Sequence, residues 1–309
     1  MTLLSLLILA LTLDAIIGDP DAIWRRIPHP AALMGRAVGA LDRHLNKGQN
    51  RRVKGILALL ILLIPAAALG QVIHKLPLGL GLELAFAAIL LAQNSLMRHV
   101  TAVANGLEIS LIEGRKTVAM IVGRDAKALD ETGVARAAIE SAAENFSDGV
   151  VAPAFWFLLF GLPGILVYKL TNTADSMIGY KTEKHRDFGW AAARFDDLLN
   201  WIPARLTGVL IAAAHLSPKA LHIMRRDAGL HRSPNAGWPE AATAAVLGIA
   251  VSGPRSYHGQ MTDDPFVNPE GQRELKAPDI RRAVKALWRS WAVLLACLII
   301  AWLILKALT

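Results

Sequence analysis

Three stretches of this sequence, residues 2–17, 55–73 and 291–305, run almost without charge. A helix needs roughly 20 such residues to cross the hydrocarbon of a bilayer. There every backbone N–H and C=O must find its partner within the chain, which narrows the possible folds before any motif is read. Residues 78–97 make a fourth candidate, with Glu83 as its one charge. Residues 150–168 make a fifth, broken by Gly161-Leu-Pro163-Gly164 in a way that permits either a full crossing or a re-entrant segment. A sixth, Leu206 to Leu216, is short and suits a buried or interfacial helix. Charged residues supply 19% of the chain, below the quarter usual in soluble domains. The expected fold class is all-α: a polytopic integral membrane protein with roughly 4–6 membrane-embedded helices and helical cytoplasmic excursions, forming one domain over 1–309.

The net charge of +8 does not point to nucleic acid, because of where it lies. Eight Lys and Arg fall between Arg25 and Lys54, directly after the first apolar run. By the positive-inside rule that loop is cytoplasmic and the N-terminus is outside. The second and third spans then form a hairpin with an external turn near His74-Lys75, and the chain returns to the cytoplasm near Arg98. The basic stretches 98–149 and 217–290 suit the same side, facing an anionic leaflet. The first run lacks a basic leader and a cleavage site, so it is expected to stay as an anchor rather than leave as a signal peptide. Cys297 is the single cysteine and sits within the last run. It excludes an intrachain disulfide and a cysteine metal site, and is expected to pack or face lipid. Residues 101–148 read as amphipathic helices with breaks at Gly114 and Gly123. Residues 255–280, with three Pro and two Gly, read as a loop or flap, and strand signals are weak throughout.

Polar constellations lie beside the apolar runs, where burying them unpaired would cost a few kcal/mol each. On a helix, Glu140, Glu144 and Asp148 fall at i, i+4 and i+8 and form one acidic stripe, with Asn145 and Ser147 beside it. Like charges at that spacing repel, and a cation would reverse the sign. Hard oxygen ligands favour Mg²⁺, commonly through one or two carboxylates plus a substrate phosphate; a solvated acidic face paired with Lys or Arg is the plainer reading. Lys169, Asn172, Thr173 and Ser176 share a helix face, with Asp175 on its edge, and suit a phosphate and its metal. The plainer reading is a helix leaving the bilayer with Lys169 snorkelling. Asp196-Asp197 with Arg194, Asn200 and Arg205 resembles a diphosphate–Mg²⁺ motif, yet adjacent carboxylates point to different sides of a helix, and ion pairing explains them too. His231, Asn235 and Glu240 lead into an apolar helix over 241–251, with Pro239 suited to its first position and exposed backbone N–H groups able to hold an anion; ordinary capping is the alternative. Gly18-Asp19-Pro20 and His29-Pro30 suit turns at the membrane edge. No phosphate-binding G-x-x-x-x-G-K-[ST] loop, G-x-G-x-x-G, H-E-x-x-H or G-x-S-x-G motif occurs.

Together these stretches resemble the adenosylcobinamide-phosphate synthase family. The resemblance covers most of the chain. It is carried by GDP at 18–20 with HP at 29–30, ENFSDGVVAPAFW at 144–156, YKLTNTADSMIGY at 168–180, FGWAAARFDDLLNWIPARLT at 188–207, SPNAGWPEAA at 233–242 and GPRSYHG at 253–259. It implies a bacterial inner-membrane ligase, multi-pass, with its active site in the cytoplasm. The reaction so implied joins adenosylcobyric acid to (R)-1-amino-2-propanol O-phosphate or a related amino alcohol through an amide bond, consuming ATP with Mg²⁺. Glu144, Asp148, Asp175 and Asp196 are then the expected metal ligands. Glu144, Asp148, Lys169, Asp175, Arg194 and Asp197 are the expected catalytic groups. Asp19, His29, Asn145, Ser147, Asn172 and Thr173 are expected at the substrates, as are Ser176, Asn200, Arg205, His231, Asn235 and Glu240. The implied partners are the corrinoid, the amino alcohol phosphate, the lipid bilayer and other membrane enzymes of cobalamin assembly. Three other readings compete: a Mg²⁺-dependent membrane prenyltransferase, which usually needs about twice as many spans, a non-enzymatic membrane sensor and a transporter.

Overall fold

The computed structural model describes residues 2–123, 126–257 and 260–308. The first helices are α1 (Leu3–Ile17), α2 (Asp21–Trp24), α3 (Pro30–Leu45), α4 (Arg51–His74) and α5 (Gly79–Leu90). Next come α6 (Gln93–Ile109), α7 (Leu111–Val118) and α8 (Glu131–Phe146), which a π-turn over Ser147–Val151 joins to α9 (Ala152–Ile178). The chain continues through α10 (Trp190–Ala214), α11 (Pro218–Asp227) and α12 (Gly237–Leu247). Four short strands follow: β1 (Val251–Ser252), β2 (Arg255–Tyr257), β3 (Gln260–Thr262) and β4 (Phe266–Val267). The last helix is α13 (Ala277–Leu308). The fold is therefore all-α, as expected, and carries in addition a small β element where a loop was expected. Four helical stretches among the described residues are long and apolar enough to cross a membrane: Arg51–His74, Gly79–Ile109, Glu131–Ile178 and Ala277–Leu308; Leu3–Ile17 is apolar but shorter.

Local sequence explains several helix starts. Thr2, Ser110, Asp130 and Ser217 accept hydrogen bonds from the backbone N–H three residues on and cap α1, α7, α8 and α11. His29 caps α3, its Nδ1 accepting from Ala31 N–H at 3.1 Å, with Pro30 in the first helical position. The expected turn at His29-Pro30 is thus a helix start. Gly114 does not break the chain but lies inside α7; the break falls at Ser110, whose hydroxyl competes for backbone N–H groups better than glycine does. The apolar segment 206–216 continues α10 rather than standing alone. The loop expected over 255–280 contains one antiparallel pair, β2 with β3 (Arg255 with Thr262), and strand β4, which pairs antiparallel with β1 just before it (Val251 with Val267); it ends where α13 begins at Ala277. Strands of two and three residues are too short to leave an alternating pattern.

Two compact units emerge. The first comprises residues 1–92 and 152–201. In it α4 lies close against α9, where a Cβ on Gly70 would stand 2.6 Å from the Pro163 nitrogen, and against the 179–189 connection, where one on Gly55 would meet the Phe188 carbonyl oxygen at 1.9 Å. Val38, Ala58, Leu170, Ala174 and Phe188 form a core there. Lys184 donates to Asp42 at 2.6 Å and Asn46 donates to the Lys184 carbonyl at 3.0 Å, tying the 179–189 connection to α3. The buried Glu83 of α5 pairs with His74 at 2.6 Å. α9 is kinked at Gly161, whose φ of 64° and ψ of −149° no ordinary helical residue adopts.

The second unit comprises residues 93–151 and 202–309. α6 packs on α7, α8 and α13, and α11 on α12. Glu140 is buried and accepts the Ser252 N–H at 2.6 Å, so it anchors β1 instead of joining an acidic stripe.

Candidate functional site

In the first unit, α9 and α10 bring one polar network together in an otherwise apolar setting. Asp196 is 8% exposed. Asn200, one turn along α10, donates to its Oδ2 at 2.9 Å, and Asn172 of α9 donates to its Oδ1 at 3.3 Å. The buried Tyr168 donates its hydroxyl to Asn200 Oδ1 at 2.9 Å, which fixes that amide with its NH₂ towards the carboxylate. Burial, and then the Asp175 carboxylate, push Asp196 well above the ordinary carboxylate range, against the two amides that favour its charged form. Asp197 points elsewhere. It is half-buried and accepts from Arg194 at 2.9 Å. Burial raises it too, while Arg194 and Lys181 hold it down. The neighbouring aspartates therefore have different jobs, as their helical spacing requires. Thr173 returns its hydroxyl to the Lys169 carbonyl at 2.7 Å, and Ser176 is exposed at the same end of α9.

Asp19 and His29 also meet in this unit, with Oδ1 and Nε2 3.3 Å apart. Trp24 packs edge-on against the His29 ring at 4.5 Å between centroids. The GDP and HP strings thus form one local contact.

The second unit holds a separate group. Arg205 lies 4.7 Å from the centroid of the Trp238 ring and donates to Asn235 Oδ1 at 3.3 Å. Its desolvation lowers its pKa, so an anion would be favourable there. His231 Nε2 stands 3.6 Å from the buried Glu240, and its Nδ1 lies 3.0 Å from the Ser233 N–H. Ser233 Oγ accepts from the N–H groups of Asn235 and Ala236. α12 opens at Gly237, placing Pro239 in the third helical position, and it closes at Leu247 rather than 251; Gly248 at φ 69° ends it. A Cβ on Gly237 would lie 2.2 Å from the Ala228 carbonyl, so the backbone approach there requires glycine. Ser147 is buried, with its hydroxyl 3.3 Å from that of Thr207. Glu144 and Asn145 are exposed at the end of α8, and Asn145 donates to the Ser141 carbonyl at 2.9 Å within its own helix. Asp148 is half-buried in the π-turn, which interrupts the regular four-residue step from Glu144.

The carboxylates expected at a metal thus belong to both units: Asp175 and Asp196 to the first, Glu144 and Asp148 to the second. Among the described residues no three or more His, Cys, Asp or Glu side chains converge to hold an ion by themselves. The pair in the first unit nevertheless fits Mg²⁺. A buried carboxylate pressed by a second one, and supplied with amide donors, gains from a cation, and this ion commonly takes two carboxylates with phosphate and water completing its shell. Sequence spacing alone did not single out Tyr168, Thr207 or Trp238. Tyr168 stands at i−4 from Asn172, and that spacing was the available signal. His258 and Gly259, at the end of GPRSYHG, lie outside the described residues.

A family model described as CobD/Cbib protein matches residues 7–287. Similar proteins include one named cobalamin biosynthesis protein CobD from Rhizobium meliloti (strain 1021), 48% identical over 309 residues and covering 94% of each chain. One of the same name from Brucella suis biovar 1 (strain 1330) is 48% identical over 318 residues, covering 97% of each. Another from Rhodobacter capsulatus is 45% identical over 292 residues, covering 92% of this chain and 90% of its own. No solved structure matches.

Proposed function

This chain belongs to the CobD/Cbib family, and we propose that it acts in cobalamin biosynthesis as an ATP-dependent amide-forming ligase of the bacterial inner membrane. Its substrates would be adenosylcobyric acid and (R)-1-amino-2-propanol O-phosphate or a related amino alcohol, and its product adenosylcobinamide phosphate. The observation that carries this reading is the Tyr168–Asn200–Asp196–Asn172 network, with Asp175 beside it. It is built within two of the strings on which the family resemblance rests.

A carboxylate does not condense with an amine in water unless its oxygen is turned into a leaving group. Transfer of the ATP γ-phosphoryl to the corrinoid carboxylate gives an acyl phosphate and ADP. Attack by the amine then forms the C–N bond, releases inorganic phosphate and loses one proton from nitrogen. Mg²⁺, when bound, neutralises phosphate charge; Asp175 and Asp196 would hold it, positioned by Asn172 and Asn200. Asp197, beside Arg194 and raised by burial, is suited to take the ammonium proton. Lys169 and Arg194 would offset charge on the transferring group. The Arg205–Asn235–Trp238 cluster suits an anionic substrate group, with His231 and Glu240 bracing its loop.

Complementation tests the reading. The chain would be expressed in a bacterium lacking its own cobinamide-phosphate synthase and fed cobyric acid. Growth that depends on cobalamin, and disappears with Asp196→Ala, is expected. Failure to grow on cobyric acid and any amino alcohol, with the protein in the membrane and cobinamide feeding still effective, would refute it.

A further inference from the structure

A cavity of about 340 Å³ opens in the first unit, between α4, α9 and α10. Trp156, Phe160, Val167, Tyr168, Phe195 and Leu199 make most of its wall. It lies beside the break in α9: the backbone leaves helical geometry at Gly161, and Pro163 and Gly164 just after it line the space. Two of the polar groups on the wall are already engaged. Tyr168 gives its hydroxyl proton to Asn200, and the Trp156 indole N–H donates to the Leu199 carbonyl at 3.1 Å. Gln71 is the other polar side chain lining it. A polar ligand would lose its hydration here with little to replace it, whereas hydrocarbon would lose nothing.

The surroundings of the mouth identify which hydrocarbon is at hand. Phe160 lines the cavity and is 60% exposed, and Leu159 beside it is exposed as well. On α4, Leu69 and Val72 flank Gln71 and are exposed. α4 is the most apolar of the span-length helices, and only 17% of its apolar window is buried within the protein. Such a face belongs in the bilayer interior. Gln71 brings that helix to the wall of the cavity, so in a bilayer acyl chains would stand at its opening.

We infer that this cavity binds one acyl chain of a bilayer phospholipid, admitted sideways past Phe160 and seated between the kink of α9 and the start of α10. Tyr168 belongs to both this site and the polar network, lining the cavity and donating its hydroxyl to Asn200.

The full chain in vesicles of phosphatidylethanolamine and phosphatidylglycerol, doped with a phospholipid carrying a diazirine midway along one acyl chain, provides the test. After illumination, adducts are mapped by mass spectrometry. Labelling at Trp156, Phe160 and Phe195 should exceed that on the exposed stretch 300–305 of α13 severalfold. Val167→Trp, which fills the space from α9, should remove the excess and leave α13 labelling unchanged; Leu199→Phe is a second filling variant should the first fail to reach the membrane. Labelling no greater than on α13, or an excess that survives both variants, would overturn the site. An excess chased out by free fatty acid but not by unlabelled phospholipid would overturn the phospholipid as its occupant.

Discussion

Asp196 and Asp197 are adjacent in sequence, yet one is buried among amides and the other faces Arg194. Removing the charge of Asp196 while keeping its shape should therefore be severe. Asp196→Asn is expected to lower kcat by roughly a hundredfold or more, the scale of losing a charged group aimed at the reacting centre. Tyr168→Phe removes one hydrogen bond and leaves the packing, so kcat should fall about tenfold, as for other supports of a metal or its ligands. Both are checked by steady-state assay, with circular dichroism to show that the fold persists. The division between Asp196 and Asp197 was legible because consecutive helical positions diverge by about 100°. The role of Tyr168 was not, because its partner lies 32 residues away on another helix. Glu140 shows the same limit. Its helical spacing suggested an acidic stripe, and its true partner, the Ser252 N–H, is 112 residues distant.

The seating of α4 in the first unit depends on missing side chains. A methyl group on Gly55 has no room against the Phe188 carbonyl oxygen, which is backbone and cannot rotate away. Gly55→Ala should cost about 1–3 kcal/mol as an overpacked contact, read as a lower Tm in detergent. In the second unit, Arg226 of α11 reaches Glu270 at 2.7 Å, linking that helix to the segment after β4. Its hydrogen bonds hold Glu270 down to about 2 from an ordinary value of 4.5. The stabilisation is thus complete above pH ~4.5 and is lost as pH falls through about 2. The Tm of wild-type protein should fall over that window more steeply than that of Glu270→Gln, measured by scanning fluorimetry. Apolar run length placed the span-length helices. It did not place the short strands or the π-turn, since both are set by hydrogen bonds that local composition does not encode.

At the scale of the molecule, the basic loop after α1 predicts an orientation that can be checked directly. Cys297→Ser leaves no cysteine, so single reporters can be introduced at exposed positions in the two loops of interest. A cysteine at Lys75 should react with an impermeant maleimide added to intact cells, and one at Lys47 only after permeabilisation. The opposite pattern would invert the topology and put the proposed ATP site on the wrong side. Membrane character was plain from the apolar runs, whereas the chemistry rested on long polar strings whose meaning came from family resemblance. The most direct measurement is reconstitution of the purified protein in nanodiscs with adenosylcobyric acid, (R)-1-amino-2-propanol O-phosphate, ATP and Mg²⁺, followed by mass spectrometry of the corrinoid. Adenosylcobinamide phosphate formed in step with ADP, and absent with Asp196→Asn, is the expected result. An unchanged corrinoid from folded, membrane-inserted protein supplied with each candidate amino alcohol would contradict the assignment.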